Sequence, residues 1–259
     1  MISVITLTRG RIASLLEAIR SVASQGSAAV LEHLILVDDC PKTVKALTAA
    51  ALPSWVRWSV HPRGPFEQTG PARVATLRNA AVQIARGSRI AFLDDDNQWA
   101  SGHLALLQRR MEDTRAHAAH SHLTIHWPDG RPYLAPRLPW PRSDRVAASE
   151  YERLVRAGVW TRGSNVVRDR LDPEDFPGAV RTVDMGAWLF SRGLLEALPF
   201  RTHYDRTDWA LVRTEDDKLL ADLASARVRV ACTNAPTLRY FLGGYSNARH
   251  GRESAWRMD

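Results

Sequence analysis

Residues 89–97 read Arg89-Ile-Ala-Phe-Leu-Asp-Asp-Asp-Asn97, an apolar run that ends in three consecutive aspartates. The apolar part is typical of a strand buried within a sheet. Carboxylates that follow such a strand lie at its carboxyl end, where open α/β sheets bind ligands. Three adjacent carboxylates repel one another and need a cation or hydrogen-bond donors, and oxygen ligands suit Mg²⁺ or Mn²⁺. The stretch therefore predicts an α/β fold with a cation site at this edge; a solvated acidic loop is the alternative.

Before this stretch, segments with strand and helix patterns alternate along the chain. The predicted strands are residues 2–7, 34–37 and 56–60. The predicted helices are residues 12–23, 42–51 and 72–86. This alternation indicates a parallel sheet with crossover helices. A second acidic pair, Asp38-Asp39, follows the second strand, so we expect it at the same edge of the sheet.

After residue 100 the pattern is less regular. Helices are predicted from Ser101 to about Arg115 and from Thr214 to about Ala226. Strands are predicted over residues 120–127, 185–191, 228–231 and 238–241, with a turn at Asp129-Gly130 and a proline-rich stretch after it. The chain shows no repeats and no clean linker, so we expect one domain.

The composition is that of an ordinary globular protein with a basic excess. Its 259 residues contain 35 Lys and Arg against 28 Asp and Glu, which gives a net charge of +7. This excess predicts an anionic partner: nucleic acid, a phosphorylated small molecule or an acidic surface. Two cysteines, Cys40 and Cys232, exclude a disulfide-rich scaffold. No segment approaches the roughly 20 apolar residues that cross a bilayer, and the first apolar run is too short for a signal peptide, so we expect a cytoplasmic protein.

Six segments in order resemble the family-2 glycosyltransferases of GT-A fold. They are residues 4–11, 21–25, 36–39, 78–79, 85–87 and 90–97. The resemblance is dense over residues 2–110, and residues 69–97 are similar to the small bacterial enzymes of the family. It implies a Rossmann-like α/β fold in which a mostly parallel central sheet is flanked by helices in a single domain. It also implies a nucleotide-sugar-binding half at about 1–99, an acceptor-binding half at about 100–242 and a flexible tail at 243–259.

The same resemblance implies residues for binding the donor. Asp96, the last acid of the DXD motif, would bind Mn²⁺ or Mg²⁺ on the diphosphate of a nucleotide sugar, with Asp94 as a further ligand. Asp94 or Asp95 would accept hydrogen bonds from the ribose or the donor sugar. The nucleotide pocket would be lined by Thr8, Arg9, Asp39, Arg73 and Arg78. Arg9 stands where the family often has an aromatic residue, so its guanidinium is a candidate to stack on the base.

Catalytic and acceptor residues are implied in the second half. Asp216 matches the family's general base, with Glu215 as the alternative, and base catalysis by a carboxylate there gives an inverting transfer. Thr214 and Asp217 also form a capping-box pattern, which is compatible with that role. Asp184, Trp99 and Trp188 are predicted to line the sugar or acceptor site, with the tryptophans stacking on sugar faces. In the tail, Arg249 and His250 are predicted to close over the diphosphate as a lid.

Two other functions stay open at this point. A nucleotidyltransferase acting on a sugar phosphate has a similar sheet, but its first strand should precede a glycine-rich loop, and residues 8–12 contain only Gly10. A non-catalytic nucleic-acid-binding module would explain the charge, but the sequence has no recognised motif of that class. The histidines at 117, 120, 122 and 126 are interpreted as structural or acceptor-cleft residues rather than zinc ligands. We expect a nucleotide sugar and a sugar or natural-product acceptor as partners, no nucleic acid, and a monomer or a homodimer.

Overall fold

A mixed sheet is the centre of the fold. The computed structural model describes residues 1–26, 30–64, 70–141 and 143–244, and nine strands of these residues form the sheet in the order β3-β2-β1-β4-β8-β6-β9-β5, with β7 paired to β6. The strands are β1 Ile2–Thr8, β2 Val30–Asp38, β3 Val56–His61, β4 Arg89–Phe92, β5 Gln98–Trp99, β6 Ala118–His126, β7 Val166–Val167, β8 Trp188–Ser191 and β9 Val230–Phe241.

Helices flank this sheet. They are α1 Ile12–Ala23, α2 Pro41–Ala49, α3 Pro71–Ile84, α4 His103–Thr114, α5 Asp144–Arg156, α6 Arg192–Ala197, α7 Arg206–Ala210 and α8 Glu215–Ser225. Over the described ranges, no helix has the length and apolar composition that crossing a membrane requires. Helices α1, α2 and α3 are the crossover connections that the alternating pattern predicts.

The sheet is parallel in its first half. Strands β3, β2, β1 and β4 pair in parallel, so β1, β2 and β4 have their carboxyl ends at one edge. β8 enters between β4 and β6 in the opposite direction, and β6 and β9 then resume the direction of β4. Six of the nine described strands thus share one direction, which confirms the predicted mostly parallel α/β fold.

A close backbone contact fixes the start of β4 against β1. The Gly87 N–H donates to the Ser3 hydroxyl at 2.8 Å, and a Cβ at Gly87 would lie 2.5 Å from the Ser3 backbone nitrogen. Only glycine fits this approach, because no Cβ tolerates such a distance. From this start β1 and β4 pair in parallel, Ile2 with Arg89 through Ile5 with Phe92, which brings the acidic stretch after β4 beside the end of β1.

The second half departs from the sequence prediction in several elements. The short elements β7, α6 and α7 were not predicted. The two strands predicted over 228–231 and 238–241 are one strand, β9, whose left-handed Asn234 has φ 57° and whose pairing with β6 shifts register. The strand predicted over 185–191 is shorter, because Met185–Ala187 form a 3₁₀ turn. Helix α5 was not predicted. Its buried residues Ala147, Tyr151 and Leu154 recur at helical spacing, but they stand in an otherwise polar segment after the prolines.

Candidate functional site

A cleft of about 460 Å³ opens at the carboxyl edge of the sheet. Thr8 lines it from the end of β1, Asp38 from the end of β2, and Asp94 and Asp95 from the segment after β4. The N-terminus of α8, residues 214–217, forms the facing side. The sheet edge therefore brings together acidic groups that are far apart in the sequence.

The three aspartates of the acidic stretch have different surroundings. Asp94 is 39% exposed and faces the cleft, whereas Asp95 is fully buried. Arg11, at the start of α1, contacts Asp95 Oδ1 through Nη2 at 2.6 Å and Asp96 Oδ2 through Nη1 at 2.5 Å. One guanidinium therefore offsets two of the three adjacent charges, and the sequence prediction did not include it.

Asp96 lies beneath the backbone that follows β9. A Cβ at Gly244 would lie 2.2 Å from Asp96 Oδ2, so a side chain at position 244 would force this carboxylate to move. Burial raises the pKa of Asp96 to about 7, against the opposing effect of Arg11. Asp96 is thus a partly enclosed carboxylate that a second cation would stabilise in its ionised form.

The residues present fit a divalent cation held jointly with a nucleotide. Among the described residues, no three His, Cys, Asp or Glu side chains converge as ligands. Mg²⁺ sites that include substrate phosphates need only one or two carboxylates, because phosphate oxygens and water complete the shell. Asp94 faces the cleft, and Asp96, which is 19% exposed but is not part of the cleft lining, lies two residues further along the same segment. These two carboxylates are the candidates for that minimal set.

Arg78 joins the two acidic regions across the cleft. It is 3% exposed, and its guanidinium contacts Asp94 Oδ1 at 3.3 Å, Glu215 Oε1 at 3.0 Å and Asp216 Oδ1. It also lies 5.4 Å from the ring centroids of Phe92 and Phe200. Sequence analysis placed Arg78 beside the nucleotide. In the structure, Arg78 links the segment after β4 to the start of α8 by ion pairs.

Asp216 and Glu215 sit in the first turn of α8. Thr214 and Asp217 form the expected capping box, since each side chain accepts from the other residue's backbone N–H. Capping occupies Asp217, so Asp216 remains directed at the cleft with 25% of its side chain exposed. Burial raises the pKa of both Glu215 and Asp216, and the neighbouring guanidinium of Arg78 works in the opposite direction. A carboxylate with a raised pKa in a cleft can take a proton from a bound hydroxyl.

At the end of β2, Asp38 lines the cleft, and the predicted base-binding residue Asp39 lies just outside its lining. Asp39 is exposed, has a left-handed φ of 44°, and does not line the cleft. Asp38 lines it instead, and its carboxylate accepts hydrogen bonds from Arg63 and from Arg73 Nε, the latter at 3.0 Å. Arg73 also donates to the backbone carbonyl of His61 at 2.7 Å, so it positions the end of β2. Thr8 and the exposed Arg9 line this same end of the cleft.

Both tryptophans predicted to stack on sugars lie in the core. Trp99 is 3% exposed, donates from Nε1 to the Gly186 carbonyl at 2.7 Å and stacks on His103. Trp188 is fully buried and stacks on Phe190. Neither ring faces the cleft, so the structure corrects this prediction: burial of their large apolar surface explains both residues.

The remaining predicted residues are Asp184, the histidines of the second half, and the two lid residues. Asp184 lines the cleft, and its carboxylate accepts from the Gly186 N–H at 2.8 Å, which caps the 3₁₀ turn. Of the histidines, His120 packs on Trp188, while His126 contacts its neighbours Thr124 and Gly130. The proposed lid residues Arg249 and His250 lie outside the described residues.

The far wall of the cleft was missed by sequence analysis. Trp140 and Tyr240 line it, with Trp140 Nε1 donating to the Tyr240 hydroxyl at 3.1 Å. Asp169, which follows β7, also lines it. The proline-rich segment around Trp140 has no periodicity, so its only signal was an aromatic residue in an irregular stretch.

Comparison with known proteins gives one family match. The sequence model described as Glycosyl transferase family 2 matches residues 3–183. Among solved structures, S. aureus TarS 1-349 in complex with UDP-GlcNAc is similar with a TM-score of 0.57 and 15% identity, covering 98% of this chain and 62% of that one. The mannosyltransferase PcManGT from Pyrobaculum calidifontis, in complex with GDP-Man and Mn²⁺, gives 0.54 and 17%, covering 93% and 56%. The chain thus spans about three fifths of the length of these structures, and the likeness shows a shared GT-A fold. No curated protein matches.

Proposed function

Because the chain belongs to glycosyl transferase family 2, we propose that it transfers a sugar from a nucleoside-diphosphate sugar to an acceptor hydroxyl, with inversion at the anomeric carbon. One observation carries the proposal. Asp94, after β4, and Asp216, at the start of α8, meet at the guanidinium of Arg78 on one cleft. A donor held by the first acidic region therefore lies next to a carboxylate that can activate the acceptor.

Asp216 is the proposed general base. It takes the proton from the acceptor hydroxyl while that oxygen attacks the anomeric carbon on the face opposite the leaving nucleoside diphosphate. The raised pKa of Asp216 makes it a better proton acceptor than an ordinary aspartate, and Arg78 favours its ionised form. Glu215 is only 10% exposed, so it shapes the charge around Asp216 rather than reaching the acceptor.

Asp96 is the proposed ligand of Mn²⁺ or Mg²⁺, and Asp94, which faces the cleft, is proposed as a further ligand. When bound, the ion supplies Lewis-acid stabilisation of the charge that develops on the leaving diphosphate. Arg11 forms ion pairs with both Asp95 and Asp96 and so offsets the repulsion between their two carboxylates. PcManGT, solved with GDP-Man and Mn²⁺, provides the parallel in a similar fold.

The nucleotide is proposed to lie along the end of the cleft formed by β1 and β2. Thr8 and Arg9 line this end. Arg9 is exposed, and its guanidinium is proposed to stack on the base. Asp38 replaces Asp39 as the carboxylate in reach of the base, with Arg63 and Arg73 holding it in place. Closure by Arg249 and His250 stays a prediction.

The test is a thermal-shift titration with UDP, GDP and dTDP, each with and without Mn²⁺. We expect one nucleotide to raise the melting temperature in a Mn²⁺-dependent way and Asp96→Asn to abolish that shift. Asp113→Asn, on the exposed face of α4, is the matched control. If nucleotide with Mn²⁺ raises the melting temperature of Asp96→Asn as much as that of Asp113→Asn, Asp96 is not the metal ligand.

A transfer assay then tests the base. Asp216→Asn should retain nucleotide binding and lose about 10²- to 10⁴-fold in transfer rate, the range typical of general-base catalysis. Normal turnover by Asp216→Asn would refute the assignment. Release of pyrophosphate from a nucleoside triphosphate would instead identify a nucleotidyltransferase.

A further inference from the structure

The cleft continues past Asp184 into an end with a different character. Its walls there are apolar and aromatic: Leu123, Leu138, Trp140, Leu154, Val167 and Tyr240. Leu123 and Val167 are cross-strand partners on β6 and β7, and each is 2% exposed. Trp140 is half-buried, so part of its ring remains available to a ligand. This end differs from the nucleotide end, whose walls are mainly polar and include Thr8, Arg9 and Asp38.

Asp169 is a buried acidic residue in these walls. It is 2% exposed, and among the described residues neither carboxylate oxygen has a hydrogen-bond partner. Burial raises the pKa of Asp169 well above its ordinary value. The Thr182 side chain and the Asp184 backbone N–H approach the carboxyl group and oppose this effect, but neither forms a hydrogen bond of normal geometry with it. A buried carboxyl without a partner is costly to a fold, and a ligand that binds there removes the cost.

The surroundings of Asp169 are acidic. Asp184 lies within electrostatic reach of both Asp169 and Asp216, which connects this end of the cleft to the proposed base. The guanidinium of Arg78 is shared by Asp94, Glu215 and Asp216.

The two arginines that line this end have other partners. Arg153 Nε donates to Glu150 at 2.8 Å, and Arg181 Nε donates to the Asp172 carbonyl at 3.5 Å. Neither contact involves Asp169, and among the described residues no ion pair does, so its buried carboxyl group favours a cationic ligand.

Resting on the proposed function, we propose that this end of the cleft binds the acceptor, and that the acceptor is a ring compound bearing a protonated amino group. The ring packs against Trp140 and Tyr240, and the ammonium donates a charge-assisted hydrogen bond to Asp169. An ammonium stabilises the ionised form of the Asp169 carboxyl against the effect of burial, whereas a neutral hydroxyl brings no charge that could do so. Asp169 is thus a specificity-determining residue for an amine-bearing acceptor.

The test compares two probes that differ in one group, 2-phenylethylamine and 2-phenylethanol, by calorimetry with the full chain at pH 7. Wild type should bind the amine about tenfold or more tightly than the alcohol, as expected for a hydrogen bond to a charged group. Asp169→Asn should reduce this preference to within about twofold, because its amide is neutral. Trp140→Leu should weaken both probes and keep the preference. The melting temperature and the binding of UDP, GDP and dTDP with Mn²⁺ report whether each variant is folded.

The outcomes separate this inference from the proposed function. Equal binding of the two probes by wild type, or a preference that survives in Asp169→Asn, overturns the inference. Failure of both probes to bind a protein that binds a nucleotide with Mn²⁺ overturns it as well and leaves the proposed function standing. The protein could also prefer the amine in an Asp169-dependent way and yet bind none of the three nucleotides. That result supports an amine site at Asp169 and refutes the nucleoside-diphosphate sugar as donor.

Discussion

Replacement of Arg78 with methionine tests the central contact of the cleft. The side chain is 4% exposed, and methionine fills much of its volume between Phe92 and Phe200 without a charge. Removing one partner of a buried ion pair costs about 3–5 kcal/mol, because the other charge stays buried. The contact with Asp94 adds little to this figure, since that carboxylate is 39% exposed and screened by solvent. We therefore expect Arg78→Met to lose about 3–5 kcal/mol of unfolding free energy.

Urea unfolding measures this loss, and a thermal scan provides a second reading. For a chain of this size, about 2–4 °C per kcal/mol corresponds to a fall of about 6–20 °C in melting temperature. Arg201→Met is the matched control. Its guanidinium pairs with Asp222 at the surface and is 60% exposed, so its loss should stay within about 1 kcal/mol.

A second substitution checks the cause. Glu215→Gln in the Arg78→Met background removes one of the stranded carboxylates, so the double variant should be more stable than the single one. Loss of the guanidinium also raises the pKa of Asp216 further, so the pH optimum of transfer should move upward. The reasoning is refuted if Arg78→Met loses no more stability than Arg201→Met.

The remaining predictions concern packing and pH. Gly244→Ala should weaken Mn²⁺-dependent nucleotide binding by about tenfold or more, measured by calorimetry, because its Cβ would lie 2.2 Å from Asp96 Oδ2. Gly87→Ala should cost about 1–3 kcal/mol in urea unfolding, whereas Gly193→Ala, which meets nothing within 4 Å, should be neutral or stabilising. Burial lowers the pKa of His103 to about 3, below its unfolded value of 6.5, so the unfolded chain binds the extra proton between these pH values. Stability should therefore fall as pH drops below about 6.5, and His103→Gln should flatten that fall by about 1.4 kcal/mol per pH unit.

Local patterns explain the parts of the fold that were predicted. Helix α1 begins and ends where its apolar periodicity does, at Ile12 and Ala23. Thr214 caps α8 through a contact three residues away, which is visible in the sequence. The acidic stretch follows a short apolar strand, and any strand in that order delivers its next residues to the sheet edge.

Non-local packing explains the parts that were not predicted. Asp38 rather than Asp39 lines the cleft because β2 ends at Asp38 and the chain turns away at Asp39, whose φ is 44°. The insertion of β8 between β4 and β6 depends on pairing between distant segments, and no local signal encodes it. Burial of Trp99 and Trp188 follows from the same packing.

The sequence by itself determined the α/β class, the parallel first half of the sheet, and the two acidic regions that carry the proposed chemistry. These features depend on short-range periodicity and on residue types, which are written directly in the chain. The tertiary structure alone decided how the charges are matched: Arg11 with Asp95 and Asp96, and Arg78 with Asp94 and Asp216. Each pair joins residues more than ten positions apart, so only the folded sheet, by bringing its strand ends together, sets which charge neutralises which.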